Sequence, residues 1–370
     1  VKNNNAFSRN NNNFDLIRLV AALLVIWAHA YAVAPQVGKV EIVTRLTGIT
    51  HSGEIAVFVF FFFSGALIFK SMEQSDTILS FMAKRFFRIY PALVACVLFT
   101  VLIGMFFTDL SVRNYFIDPQ VYKYIKGNLG LIWNEHFLPG VYNDHPTSAI
   151  NGSLWSITLE ARLYIVVGII GMFGLLRERL SSNVIIMTLL ISVMVFPTLI
   201  PLIGSNRELL GLDVFPQYTV TFLLGGFVYY NSDKFRIGIS VVILLGIFLF
   251  LAKDTILFKS IIMIFSIAAA YFLGTTSLSL KLRLPADISY GIYLYGWPSL
   301  QLTYQAFPKA GTELNAILSC ILAAIFATAS WFLVEKPSIN LARKLTIRLK
   351  QRIDSNEPEN PSTKHSVIES

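Results

Sequence analysis

Apolar residues run along this chain in long stretches with short polar connectors between them, from residue 14 to residue 335. Stretches near 14–34, 55–70, 90–108, 153–175, 183–204, 215–231, 237–252, 255–274, 288–307 and 314–335 approach the roughly 20 residues that a helix needs to cross a bilayer. The pattern predicts an all-α polytopic integral membrane protein, with about ten transmembrane helices in one bundle. Several stretches are nearer sixteen residues than twenty, so the count lies between about nine and eleven. The first stretch is not expected to be a signal peptide. It follows a polar, Asn-rich start, carries Arg18 and His29, and has no small-residue cleavage pattern after it.

Lys and Arg concentrate on one side of these spans, at Lys2, Arg9, Lys70, Lys84, Arg85, Arg88, Arg177, Arg179, Lys234, Arg236, Lys281, Arg283 and the run from Lys336 to Arg352. Cytoplasmic loops carry the positive excess, so this side is expected to be the cytoplasm and, with ten spans, to hold both termini. Three regions follow: a polar N-terminus at 1–13, a membrane domain at 14–337, and a tail at 338–370. In the tail, residues 341–353 read as a basic amphipathic helix on the inner leaflet, and the stretch from Ser355 to Ser370 reads as disordered. The large loop of the opposite side, about 109–152, mixes Tyr115, Tyr122, Tyr124, Trp133, His136, Tyr142 and His145 with Asn, Asp and Gly. That mixture fits a sugar-binding surface or an interfacial aromatic belt.

Composition narrows the classes. Of 370 residues, 55% are apolar and 14% charged, and the net charge is +8. Anionic lipid headgroups suffice as partners for most of the basic residues, and nothing calls for nucleic acid. Cys96 and Cys320 both fall in apolar spans, where free thiols are expected. No spaced Cys/His cluster points to zinc, and no glycine-rich loop is arranged to cradle phosphate.

Arg18 and His29 sit eleven residues apart within the first stretch. Eleven steps of about 100° bring the two side chains to within roughly 20° of one face, about 16 Å apart along the axis. Ionisable groups inside a hydrocarbon core are costly and face a bundle interior or a wet cavity, so this pair marks a candidate site at two depths.

Four further segments carry chemistry or shape. Arg85 and Arg88 lie one turn apart at the mouth of the third span, where two guanidiniums converge on a polyanion or anchor the positive side. In the second span four phenylalanines give way to Ser64-Gly65, which permits close helix packing or leaves room for a slender ligand. Ser153, Ser156, Glu160 and Tyr164 form a polar stripe on the fourth span, beside Trp155, with a structural ion pair of Glu160 as the alternative role. From Asp287 to Pro298, Tyr290, Tyr293 and Tyr295 present hydroxyls to a cavity or pack between helices, and Pro298 can kink the span.

These residues resemble the acyltransferase-3 family of membrane acyltransferases, in its bacterial surface-polysaccharide O-acetyltransferase type. Phe14-Asp15-Leu16-Ile17-Arg18 followed by His29 is similar to the family's D-x-x-R and R-x10-H pattern. Phe61-Phe62-Phe63-Ser64-Gly65 is similar to its second-span motif, one residue shorter. Arg85-Phe86-Phe87-Arg88 with Tyr90-Pro91, Ser153 to Tyr164, Ser289 to Pro298, and Glu335-Lys336-Pro337 follow in the family's order. Two positions depart: Leu16 replaces a common Gly, and Gly296-Trp297-Pro298 stands where His-Trp-Pro is frequent. Some members carry a fused esterase-like domain. None is expected here, so acceptor recognition would rest on the membrane domain and its loops.

The resemblance implies acyl transfer, acetyl foremost, from a cytoplasmic acyl-CoA to a hydroxyl of a surface carbohydrate, at the bacterial inner membrane. Acyl-CoA then enters as donor substrate and no cofactor is held permanently. Arg18, Arg85 and Arg88 would hold the CoA phosphates, with the pantetheine arm beside Ser64 and Gly65. His29 would act as general base, oriented by Glu160 or Asp15, or would carry the acyl group as an acyl-histidine. Trp155, Ser156, Tyr164 and Tyr293 would contact substrate. The acceptor is expected to be lipopolysaccharide O-antigen, another polysaccharide or a lipid-linked glycan. A transporter or flippase using the same polar path is the competing class, and would move its cargo without chemical change or CoA. A non-catalytic scaffold leaves the shared face of Arg18 and His29 without a purpose.

Overall fold

A computed structural model describes residues 5–8, 11–203, 216–235, 237–276, 282 and 284–356. Lys2, Arg9, Arg236, Lys281 and Arg283 of the basic set, and residues 357–370 of the tail, lie outside these. The described residues form fourteen α-helices and one isolated bridge, between Thr108 and Val141. In chain order they are α1 (Phe14–Val33), α2 (Ile42–Thr47), α3 (Ser52–Glu73), α4 (Ile78–Phe107), α5 (Val112–Ile117), α6 (Pro119–Gly130) and α7 (Trp155–Met172). The remainder are α8 (Arg179–Ile203), α9 (Pro216–Tyr230), α10 (Ile239–Leu251), α11 (Phe258–Thr275), α12 (Ser289–Ala306), α13 (Thr312–Ser330) and α14 (Lys336–Asn356).

Each expected apolar stretch corresponds to a helix. Among the described residues, six helical segments are long and apolar enough to cross a membrane: α1, α3, α4, α7, α11, and Thr312–Arg348, where α13 runs into α14. Two further apolar segments, Arg179–Val195 and Ile239–Leu251, are shorter. The 288–307 stretch is the more polar helix α12. It is buried along most of its length, from Ser289 to Thr303, so it meets other helices rather than lipid and has no need of an apolar surface.

At the centre, α1 packs against α3, α11, α12 and α13. Helix α3 crosses α9 with backbones in contact. A Cβ on Gly65 would lie 1.9 Å from the Phe222 carbonyl oxygen, and one on Gly225 would lie 2.0 Å from that of Phe62. Without a hydrophobic drive between helices in lipid, such close approach of small residues is what holds them together.

Two boundaries move. Helix α4 begins at Ile78, twelve residues before the expected apolar span, because Thr77 caps it by accepting from the Ser80 N–H at 3.1 Å. Lys84, Arg85 and Arg88 therefore lie within the helix, continuous with the apolar span, and the one-turn spacing of Arg85 and Arg88 holds. At the other end, the chain passes from α13 through a π-helical turn, Trp331–Glu335, into α14. The helix thus runs through the 337/338 boundary suggested by composition, and α14 packs along α4.

The 109–152 loop has its own core. Tyr115 and Tyr124 are fully buried; Tyr115 donates to the Val101 carbonyl at 2.9 Å and Tyr124 pairs with Thr100 at 3.0 Å. Tyr142 is buried between Phe107 and His145. These three tyrosines pin the loop to the end of α4, while Tyr122 and Trp133 remain exposed. Both cysteines are free thiols.

Candidate active site

Two cavities flank α1, one at each end of the Arg18–His29 face. The first, of about 410 Å³, is lined by five cations, Arg18, Lys84, Arg85, Arg88 and Arg343, and by one carboxylate, Glu160. Because α1 has no helix-breaking residue between Phe14 and Val33, it carries Arg18 to this cavity and His29 to the other, about 16 Å further along the axis.

Arg18 and Arg88 are held by two carboxylates behind the cavity wall, the mostly buried Asp287 and the fully buried Glu335. Asp287 Oδ2 accepts from Arg18 at 3.0 Å and from Arg88 at 2.5 Å. Its other oxygen accepts from the Ser289 hydroxyl at 2.6 Å. Glu335, in the π-helical turn, accepts from Arg88 at 3.3 Å and from Ser330 at 3.3 Å. The Tyr290 and Trp331 rings flank the Arg88 guanidinium at 5.9 and 5.8 Å. Burial pushes the Asp287 carboxyl up, but the Arg18 and Arg88 guanidiniums and the Ser289 hydrogen bonds outweigh it, holding the group well below the usual carboxylate range.

Arg85 differs from its two neighbours. It forms no ion pair among the described residues, and its buried Nε has no hydrogen-bond partner. Glu160 and Tyr164 are its electrostatic neighbours. Glu160 in turn accepts from Ser64 at 2.5 Å and from Tyr164 at 2.6 Å, which closes a three-member network on the cavity wall. Helix α14 supplies the wall facing α4, through Ile339, Ala342, Arg343 and Thr346. The basic tail is therefore part of this cavity.

The second cavity, of about 560 Å³, is lined by His29, His51, Glu54, Trp155, Gln217, Tyr218, Lys259 and Tyr293, among others. His29 packs on the Trp297 ring at 4.7 Å, and that indole donates to the Ala149 carbonyl at 2.8 Å. The Trp297 that follows Gly296 is thus the residue that seats His29. No described protein group hydrogen-bonds either His29 ring nitrogen, so both are left for a ligand or solvent.

Tyr293 lines both cavities. Its hydroxyl pairs with Ser156 at 2.6 Å and donates to the Ser153 carbonyl at 3.3 Å, while Phe60 meets its ring edge-on at 5.5 Å. Ser156 faces the cationic cavity and its neighbour Trp155 the His29 cavity, so the start of α7 and Tyr293 form the partition between them.

The structure brings together Arg18, Arg85, Arg88, Ser64, Ser156, Glu160, Tyr164 and Tyr293 around the first cavity. Trp155, His29 and Tyr293 share the second. Three expected residues stand elsewhere than their assigned roles. Gly65 faces α9 rather than the cavity, because its missing side chain is what admits the Phe222 backbone. Glu160 is committed to Ser64 and Tyr164 and does not contact His29. Asp15 lies one turn before Arg18, on which it acts electrostatically, and is about 21 Å along the helix from His29. Sequence reasoning missed His51, Glu54, Gln217, Lys259 and Arg343. Glu54 and Lys259 are ionisable residues at the ends of apolar helices, and the rule that singled out Arg18 would have found them.

Comparison with known proteins identifies the family. Residues 11–336 match the acyltransferase domain family, acyltransferase-3. An O-acetyl transferase of Shigella phage Sf6 is 31% identical over 338 residues, covering 88% of this chain and 95% of that protein. Nodulation protein 10 of Rhizobium leguminosarum bv. viciae is 26% identical over 364 residues, covering 92% of this chain and 96% of that protein. No solved structure matches the chain. With a family match across nearly all of the membrane helices, the chain belongs to the acyltransferase-3 family of membrane-bound acyltransferases.

Proposed function

We propose that this protein transfers an acyl group, acetyl foremost, from a cytoplasmic acyl-CoA to a hydroxyl of a cell-surface carbohydrate, in the bacterial inner membrane. The observation that carries the reading is the pair of cavities separated by Tyr293, one cationic and the other holding His29. The positive-inside rule puts the cationic cavity at the cytoplasm, where acyl-CoA is available.

Five cations against one lining carboxylate suit a polyphosphorylated ligand. Asp287 and Glu335 engage Arg18 and Arg88 and fix their forks in place, while Arg85 keeps donors for phosphate oxygens. The uncharged pantetheine arm then runs past Ser64 and Tyr164 toward the partition, bringing its thioester to Tyr293 and Ser156.

His29 takes the proton from the acceptor hydroxyl as that oxygen attacks the thioester carbonyl. The carbon–sulfur bond breaks, CoA leaves as thiolate on the cationic side, and the proton on His29 passes to solvent. The Ser156 and Tyr293 hydroxyls stand at the partition and, turned from each other and from the Ser153 carbonyl, would donate to the developing oxyanion. The name of the phage protein supports acyl transfer, with acetyl as the group and an oxygen as its acceptor.

Binding of CoA to purified protein in nanodiscs tests the donor half. Loss of the charge-assisted contacts of Arg85 in Arg85→Ala is worth about 1.5–3 kcal/mol, a weakening of roughly 10- to 100-fold. Equal CoA binding by wild type and variant would contradict it.

A further inference from the structure

We infer that the His29 cavity is the acceptor site and that it is built to take an uncharged sugar ring. This rests on the acyl-transfer reading for what happens to the ligand, but not for its binding. The cavity, at about 560 Å³, is in the range of small-ligand sites.

Its charge is balanced where that of the other cavity is not. Glu54 and Lys259 are the charged groups among its described lining residues, apart from the two imidazoles, and they pair with each other at 2.8 Å. Glu54 also accepts from the Gln217 amide at 3.0 Å and from the Thr50 hydroxyl at 2.6 Å. A phosphate or uronate entering here would compete with Glu54 for Lys259 and face that carboxylate at close range. Hydroxyls meet no such cost, since each can both donate and accept and can join the Glu54–Gln217–Lys259 network.

The remaining lining supplies what a sugar's C–H faces and hydroxyls require. Trp155 and Tyr218 form an aromatic corner, with ring centroids 5.0 Å apart at 53°. Phe58 and Phe61 support Tyr218 from behind, at 5.4 and 5.5 Å. His51 accepts the Glu54 backbone N–H through Nδ1 at 3.2 Å, so its neutral ring carries the proton on Nε2 as a donor. Its ring centroid is 6.3 Å from that of His29. A sugar hydroxyl lying between the two imidazoles would have a donor on one side and a base on the other.

The test is saturation-transfer NMR on the full chain in nanodiscs, without donor. The probes are a neutral hexose or deoxyhexose oligosaccharide series and matched oligosaccharides containing uronate, with CoA binding measured on the same samples. Neutral oligosaccharides should bind wild type in preference to uronates. Gln217→Ala and Trp155→Ala should each weaken that binding about tenfold, the worth of one good buried contact, while CoA binding stays within about twofold. Retained CoA binding shows that a variant has folded, and Gln217→Ala serves if Trp155→Ala does not fold. Preference for uronates, no binding of any neutral oligosaccharide, or undiminished binding by the folded variants would overturn the inference. Neutral-sugar binding at this cavity with no CoA binding by wild type would instead overturn the acyl-CoA reading and leave the acceptor site standing.

Discussion

Arg88 and Asp287 are 199 residues apart in the chain and 2.5 Å apart in the fold, and the same Asp287 oxygen also holds Arg18. One carboxylate therefore sets the positions of two of the cavity's guanidiniums, from α1 and α4.

Replacing that carboxylate should cost stability and donor affinity together. Asp287→Asn leaves two mostly buried guanidiniums without their shared partner, a loss of about 3 kcal/mol for a buried pair broken from one side. A lowered thermal transition and weaker CoA binding are expected in detergent. A transition within a degree or two of wild type would show that the pair is structurally neutral.

The pH dependence of that difference follows from the lowered pKa of the Asp287 carboxyl. Its stabilisation is fully present above the unfolded value of about 3.9 and is lost as pH falls through the lower native value. The gap between wild type and Asp287→Asn should be constant from about pH 5 upward and should narrow only below about pH 4. Thermal unfolding of both proteins across that range measures it; a gap that closes near neutrality would assign the stabilisation to another group.

Ser64 and Gly65 are adjacent in sequence and should fail in different ways. Gly65→Ala puts a methyl 1.9 Å from a backbone oxygen of α9, which must move, at a cost of about 1–3 kcal/mol or more. Ser64→Ala removes one member of the Glu160–Tyr164 network and should keep the folded yield while raising the KM for acyl-CoA. Yield, thermal transition and donor KM for the two variants separate packing from ligand contact. The reverse pattern would put Gly65 in the groove.

Helix α14 lines the cationic cavity through Arg343, so the tail should act on donor binding and not only on membrane attachment. Arg343→Ala should weaken CoA binding by roughly 10-fold or more, the worth of a charge-assisted contact, with unchanged membrane insertion. Unchanged CoA affinity would return the tail to the membrane surface as a simple anchor.

In the 109–152 loop, Tyr124→Phe removes a buried hydrogen bond to Thr100, and should lower stability by about 1 kcal/mol with transfer activity kept. A loss of acceptor affinity at unchanged stability would restore this tyrosine to a sugar-binding surface.

What could be read from the sequence was whatever one helix's periodicity controls. The shared face of Arg18 and His29, and the alignment of Ser156, Glu160 and Tyr164, follow from spacing alone and recur in the cavities. Contacts between distant helices left no such trace. Asp287 shows nothing locally of its two arginines, and Gly65 does not reveal that its open side faces Phe222 rather than a ligand groove. Lys84, Arg85 and Arg88 interrupt the apolar run, so hydropathy starts the span after them, whereas the Thr77 cap starts α4 before them. Tyr115 and Tyr124 read as a surface because polar neighbours surround them, whereas the short helices α5 and α6 turn these two inward.

Acyl donor and acceptor are proposed to meet at His29. Inside-out vesicles from a host making a candidate surface glycan, supplied with isotope-labelled acetyl-CoA, compare wild type with a well-expressed His29→Ala variant. Label should enter the glycan with wild type and fall by at least about 100-fold with the variant, the share a general base commonly contributes. Equal labelling by the two proteins would remove His29 from the chemistry and contradict the account.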